Sequence, residues 1–198
     1  MTALSVNRII ERQAATGGDR VGIEDGDVRL TYHELNHRAN AVARELISRG
    51  LRRGSDVVAC MERGPELAIV LLAILKAGAA YTWLDPGDAD GRWPYGVSLP
   101  DDGVPRAPID TGTLAIASRH MPNLPIVTRG DDIACVLRYP DGRPGVLIPH
   151  ATIAALQAHP IPEQALWSGD AAALDLWLPL MAGATVTLAT PPARVAAA

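Results

Sequence analysis

The chain has 198 residues, 48% of them apolar, and a formal net charge of −4. That length and apolar content suit one globular domain with a sizeable core and exclude a disordered acidic tail. The acidic balance, 22 Asp and Glu against 18 Lys and Arg, argues against a nucleic-acid-binding protein. Lys76 is the only lysine, which limits the chemistry that the chain can perform.

The first 86 positions alternate helix and strand signals. Thr31 and Glu34 form a capping box, in which each can bond the other's backbone N–H, so a helix is predicted to begin there. The predicted order is a helix at 6–15, strands at 20–24 and 28–30, a helix at 32–49, a strand at 56–61, a helix at 65–77 and a strand at 80–84. Strand, helix, strand in this order predicts a βαβ unit. The fold class is therefore α/β, a layered and mostly parallel sheet flanked by helices.

The rest of the chain is interrupted by turns. Fifteen of the sixteen prolines lie from Pro86 onward, and proline breaks both helices and strands. Strands are predicted at 113–117, 125–128, 133–138, 146–148 and 184–189, and helices at 150–158 and 170–181. We expect one partial domain over 1–190, degenerate after 86, followed by an Ala-rich tail or linker at 191–198.

The sequence shows neither a membrane-spanning segment nor a signal-peptide core. The longest unbroken apolar run, 67–75, is too short to cross a bilayer, which takes about 20 residues, and 1–12 has no signal-peptide core. A cytoplasmic protein that binds neither membrane nor nucleic acid is therefore expected. Cys60 and Cys135 lie in separate apolar strands and are predicted to be buried, reduced thiols.

One short motif resembles a zinc site. His33, Glu34 and His37 match H-E-x-x-H, in which two histidines one helical turn apart bind zinc. The helical period instead places both histidines opposite the apolar stripe, together with Asn40 and Arg44. We therefore predict a solvent-facing side of the helix and no metal.

Several segments together resemble the adenylation domain of nonribosomal peptide synthetases, in the wider acyl-adenylate-forming family. Residues 30–35 read LTYHEL, and 75–86 read LKAGAAYTWLDP, close to the family's L-K-A-G-x-A-Y-x-P-L-D-P. Arg92 keeps the family's spacing, and 178–184 read LPLMAGA, near P-L-L-x-G-A. The resemblance is strongest over 1–86 and implies part of the N-terminal subdomain of such a domain.

The family's phosphate loop is degenerate in this sequence. The family reads roughly Y-T-S-G-[ST]-T-G-x-P-K-G, whereas the matching stretch continues from Arg138-Tyr139-Pro140 into a remnant that consists of Asp141, Gly142, Arg143, Pro144 and Gly145. Hydroxyls, backbone amides and the loop lysine are the groups that would hold ATP phosphates. The hydroxyl-rich portion is shortened, the lysine is missing, and Asp141 adds a negative charge.

The amino-acid end of the family's site is also altered. The resemblance implies that Asp170 occupies the position that pairs with the substrate's amino group, with Gly169 where phenylalanine is usual. Asp170 is equally explained as a helix N-cap. The rest of the pocket, and the C-terminal subdomain with its catalytic lysine, are not in the sequence. We therefore expect no catalytic residues and no cofactor.

Three functions remain open at this point. The first is a truncated, catalytically silent domain that serves as a scaffold or docking element for condensation, carrier or adenylation domains, or that self-associates. The second is an enzyme that retains nucleotide or amino-acid binding. The third is a synthetase remnant without a function. Lys76 would then serve only at a helix end, where its charge complements the helix dipole.

Overall fold

The computed structural model describes residues 4–86, 96–98, 121–125, 128–137, 145–156 and 172–187. The helices are α1 Val6–Gly17, α2 Tyr32–Ser48, α3 Pro65–Lys76, α4 His150–Leu156 and α5 Ala172–Ala182. The strands are β1 Val21–Asp25, β2 Val28–Thr31, β3 Asp56–Cys60, β4 Ala80–Leu84, β5 Gly96–Ser98, β6 Ile133–Leu137, β7 Val146–Pro149 and β8 Val186–Thr187.

The described strands form two sheets. The larger has the order β5-β3-β4-β6-β7, and the smaller has the order β2-β1-β8. β3 pairs in parallel with β4, and β4 with β6, whereas β5 and β7 run antiparallel at the two ends of this order. The α/β class with flanking helices is confirmed. The sheets are mixed, with a parallel centre formed by β3, β4 and β6.

Helix α3 occupies the middle of the core. Eleven of its twelve residues are buried, from Pro65 through Lys76 with only Glu66 exposed. A helix that is apolar on all sides must be covered on all sides. It follows β3 and precedes β4 in a parallel pair, which confirms the predicted βαβ unit.

Helix α2 begins where the capping box predicts. The Thr31 hydroxyl accepts from the Glu34 N–H at 3.2 Å, and Glu34 Oε2 accepts from the Thr31 N–H at 2.8 Å. The Thr31 N–H and, to a smaller extent, the Thr31 hydroxyl donate to Glu34 Oε2 and hold the pKa of that carboxyl below its ordinary value, against the opposing effect of burial. Gly50, at φ 103°, ends the helix in the left-handed region that glycine favours.

The later part of the chain departs further from prediction. The predicted strand at 125–128 has no regular structure at Pro125 and Thr128, and 126–127 lie outside the described residues, as does the predicted strand at 113–117. Residues 121–125 instead bond side chains of α2. Helix α5 continues through Pro179 because buried Trp177, Leu180 and Met181 hold it in the core.

No helix among the described residues is long and apolar enough to cross a membrane. Both cysteines are free and buried, as predicted.

Candidate functional site

The candidate site is the edge of the larger sheet at which its parallel strands end. Because β3, β4 and β6 are parallel, Cys60, Leu84 and Leu137 lie at the same edge. Gly145, just before antiparallel β7, lies there too. Ligands of α/β proteins bind at this end of the strands. We call this set of positions the carboxyl edge.

The described residues on either side of positions 138–144, Leu137 and Gly145, lie at the carboxyl edge. Leu137 pairs with Val146, so 138–145 connect two neighbouring antiparallel strands. A Cβ added at Gly145 would lie 2.6 Å from the Leu137 carbonyl oxygen and 2.9 Å from Val136 Cγ1. Only glycine tolerates that approach to backbone. Asp141, Gly142, Arg143, Pro144 and Asp170 lie outside the described residues, so their roles stay predictions.

The charged side chains at the carboxyl edge come from the segments after β3 and β4 and from α5. The Arg63 guanidinium carbon lies 4.9 Å from the centroid of the Trp83 ring, and Trp83 Nε1 donates to the Met61 carbonyl at 2.9 Å. Burial raises the pKa of the Asp175 carboxyl, and Arg63 opposes that rise. Asp85 also lies close enough to contribute to the raised pKa of the Cys60 thiol. Asp175 therefore lies close enough to Arg63 for their charges to interact.

Strand β6, which leads into the loop, is packed with neutral groups. Trp177 Nε1 donates to the Tyr81 hydroxyl at 2.6 Å, and Tyr81 pairs with Cys135 across the β4–β6 ladder. Burial raises the pKa of the Cys135 thiol to about 11 and that of the Tyr81 hydroxyl well above its ordinary value. These groups supply packing and no charge to an anion.

Lys76 is held away from the carboxyl edge. It lies at the end of α3, as predicted, but its side chain is only 1% exposed, and Nζ lies 2.5 Å from Glu11 Oε1. Nζ also lies 3.3 Å from Asn123 Oδ1. Helix α3 runs from the end of β3 back to the start of β4. Its last residue therefore lies at the opposite end of the parallel strands from the carboxyl edge. The only lysine is therefore a buried ion-pair partner.

The H-E-x-x-H residues do not form a metal site. Glu34 is used in the capping box, His33 is half exposed and His37 Nδ1 donates to the Met121 carbonyl at 3.0 Å. Among the described residues, no group of three or more His, Cys, Asp or Glu side chains could hold a metal ion.

The prediction that this side of α2 faces solvent was wrong for Asn40. Asn40 is fully buried, and Arg44 Nη2 donates to the Pro122 carbonyl at 2.7 Å. Residues 121–123 cover this side. The polar pair Asn36 and Asn40, one helical turn apart, was the sequence signal for such a cover, although nothing local identified the segment that provides it.

The comparisons with known proteins agree with this geometry. Residues 10–97 match the family model described as "AMP-binding enzyme". This segment is therefore similar to AMP-binding enzymes. Tyrocidine synthase 3 of Brevibacillus parabrevis is 32% identical over 225 aligned positions, which cover 96% of this chain and 3% of that protein. Bacitracin synthase 1 of Bacillus licheniformis is 30% identical over 209 positions, 92% of this chain and 4% of that protein.

A solved structure extends the likeness to an adenylation subdomain. The N-terminal subdomain of Klebsiella oxytoca NpsA, in complex with 3-hydroxybenzoyl-AMSN, matches with a TM-score of 0.70 and 28% identity, over 97% of this chain and 55% of that one. The AMP-binding segment and the strands after it therefore have the N-terminal subdomain architecture of adenylation domains, and the chain spans about half of that subdomain.

Proposed function

We propose that this chain is a non-catalytic adenylation-like domain that serves as a scaffold or protein-docking element in nonribosomal peptide biosynthesis in the cytoplasm. The observation that carries the proposal is that the loop positions lack the lysine and the hydroxyl groups that would hold phosphates. Positions 138–145 contain no serine, threonine or lysine. The only lysine is buried against Glu11, at the opposite end of the parallel strands from the carboxyl edge.

Electrostatics at the carboxyl edge supports the loss of nucleotide binding. Phosphate sites combine backbone N–H groups, hydroxyls and cations. Here Asp141 introduces a negative charge among positions that also carry Arg138 and Arg143, and Asp175 lies close to Arg63. Pro140 and Pro144 supply no N–H. Positions 138–145 therefore lack the hydroxyls, the lysine and two of the N–H groups that would hold a polyphosphate anion.

Binding measurements with a matched protein test this. The NpsA subdomain is an N-terminal subdomain solved with 3-hydroxybenzoyl-AMSN bound, so it is the positive control. Calorimetry of both proteins with that compound, with ATP and with an amino-acid panel should give heats for NpsA with its ligand and none for this chain. Clear ATP binding that is lost in Arg143→Ala would replace the proposal with a residual nucleotide-binding function.

The docking part of the proposal rests on strand β7. Val146 and Leu147 are 41% and 59% exposed, and they point to opposite faces of the sheet because strand side chains alternate. Large exposed apolar side chains on a strand that ends the described sheet favour protein contact. The similar NpsA-ThdA structure from Klebsiella oxytoca is an artificially fused adenylation–PCP di-domain, and a carrier domain is the partner to test first.

Co-sedimentation with purified carrier, condensation and adenylation domains from the same organism tests the docking. We expect one stable complex, weakened at least tenfold by Leu147→Glu, and unchanged by Val28→Glu, which alters an equally exposed valine on β2. A chain that stays monomeric and binds none of these domains would contradict the proposal.

A further inference from the structure

A polar cluster lies inside the core, between α1, α2 and α3. Asn123 Oδ1 lies within hydrogen-bond distance of three nitrogens: Asn36 Nδ2 at 3.0 Å, Asn40 Nδ2 at 3.1 Å and Lys76 Nζ at 3.3 Å. Lys76 Nζ also lies 2.5 Å from Glu11 Oε1. The side chains of Asn36, Asn40 and Lys76 are 6%, 0% and 1% exposed, so the cluster is enclosed by protein.

The contacts of the Lys76 side chain are those of a protonated amine. Its partners among the described residues, Glu11 Oε1 and Asn123 Oδ1, are both acceptors. Burial lowers the pKa of Lys76 to about 8, against the opposing effect of Glu11, so the amine is mainly protonated at pH 7. A protonated lysine amine has three N–H donors and no acceptor.

The amine sets the orientation of the three asparagine amides. Because it only donates, Asn123 must present its oxygen to Lys76 and not its nitrogen. That oxygen in turn requires nitrogens from Asn36 and Asn40, so the oxygens of these two amides point away from Asn123. The bonding pattern thus fixes amide orientations that interatomic distances alone would leave open.

Three hydrogen-bonding groups are left over around this point. Asn36 Oδ1 and Asn40 Oδ1 are buried and accept no hydrogen bond from the described residues. The third N–H of Lys76 has no acceptor among those residues either, beyond Glu11 and Asn123. Asn36 and Asn40 lie one helical turn apart on α2, and all three side chains meet at Asn123 Oδ1, so the unused groups are neighbours.

We propose that one buried water molecule is bound in this cluster, where it donates to Asn36 Oδ1 and to Asn40 Oδ1 and accepts from Lys76 Nζ. Buried waters typically make about three hydrogen bonds to polar groups without another partner, and this cluster offers that number. Unpaired, the same groups would each carry the cost of burial without a compensating bond. The water therefore completes the hydrogen bonds of the amine and allows a charged lysine to join α1, α2 and Asn123 inside the core.

A high-resolution crystal structure of the unmodified chain, grown at neutral pH, tests the site directly. We expect a single water within hydrogen-bond distance of Lys76 Nζ, Asn36 Oδ1 and Asn40 Oδ1. The proposal is overturned if no water lies there, or if each amide oxygen binds a water of its own.

A solution measurement separates one shared water from two. Magnetic relaxation dispersion of water 17O counts the waters that stay bound for longer than the protein takes to tumble. Leucine has the branched shape of asparagine without its polar atoms, so Asn36→Leu and Asn40→Leu should each lose about one such water. The double variant should also lose about one, because both oxygens bind the same molecule.

Asn123→Asp is the matched control for this count. It keeps an acceptor oxygen toward Lys76, Asn36 and Asn40, and should leave the number of long-lived waters unchanged. Unchanged counts in both single leucine variants, or a loss of about two waters in the double variant, would overturn the proposal. The crystal structure needs no variant, so it decides the matter where a leucine variant does not fold.

Discussion

Residues 4–86 and the described residues after 120 differ in how their structure is established. In the first region, each helix or strand follows from its own pattern, and α3 supplies the centre of a core. In the second region, the elements attach to the first by directed contacts. Trp177 donates to Tyr81, and the Tyr32 hydroxyl lies 3.0 Å from the Leu180 carbonyl oxygen. The family resemblance is therefore strongest in residues 4–86, the region that forms the centre of the core.

The largest expected effect comes from removing a buried contact between the two regions. Trp177 is fully buried, and its ring centroid lies 6.4 Å from that of Tyr81. Trp177→Ala should lower the free energy of unfolding by about 3–5 kcal/mol, because it leaves a large cavity and removes the N–H that donates to the Tyr81 hydroxyl. Urea denaturation measures this. Trp177→Phe, which keeps most of the apolar volume, should lose less than half as much. A loss below about 1 kcal/mol in Trp177→Ala would show that α5 packs independently of β4.

Lowering the pH is expected to decrease the free energy of unfolding by an intermediate amount. His150 Nδ1 accepts from the Val6 N–H at 3.2 Å and joins the start of α4 to the start of α1. Burial lowers the pKa of His150 from 6.5 to about 4, although Asp132 opposes the shift. The unfolded chain binds the proton first, so this stability is complete above about pH 6.5 and is lost as pH falls to about 4.

The loss attributable to His150 should approach about 3 kcal/mol. Denaturation of the unmodified chain and of His150→Asn at pH 7, 5.5 and 4.5 isolates it, because the asparagine has no proton to take up in this range. Parallel pH dependence in the two proteins would contradict the buried, neutral histidine.

The smallest effect concerns a contact within the first region. Thr31→Ala removes the hydroxyl that accepts from the Glu34 N–H and should cost about 1 kcal/mol of unfolding free energy. Thr31→Ser, which keeps the hydroxyl, is the matched control and should lose only a few tenths. If alanine and serine were equivalent, packing by α3 and the sheet would be fixing the start of α2 instead of the capping box.

The elements that the sequence predicted best are those with local chemical signals. The capping box placed the first residue of α2, and the apolar runs around α3 placed β3 and β4 within one residue of their observed ends. The prediction of a strand at 125–128 was wrong at its described ends. An apolar stretch indicates that a segment is buried, but it does not identify the element that covers it. Neighbouring 121–125 bond side chains of α2, and no local pattern encodes that contact.

For the candidate site, too, some features could be predicted from the sequence and others could not. Composition alone established that the loop has no lysine, serine or threonine and that Lys76 is the only lysine. The sequence also carried the AMP-binding resemblance, in motifs that lie next to one another along the chain. Only the tertiary structure decided that Lys76 is paired with Glu11 beneath Asn123, because these residues are 65 and 47 positions away. Such contacts arise from the packing of α1 against α3, which no spacing along the chain specifies.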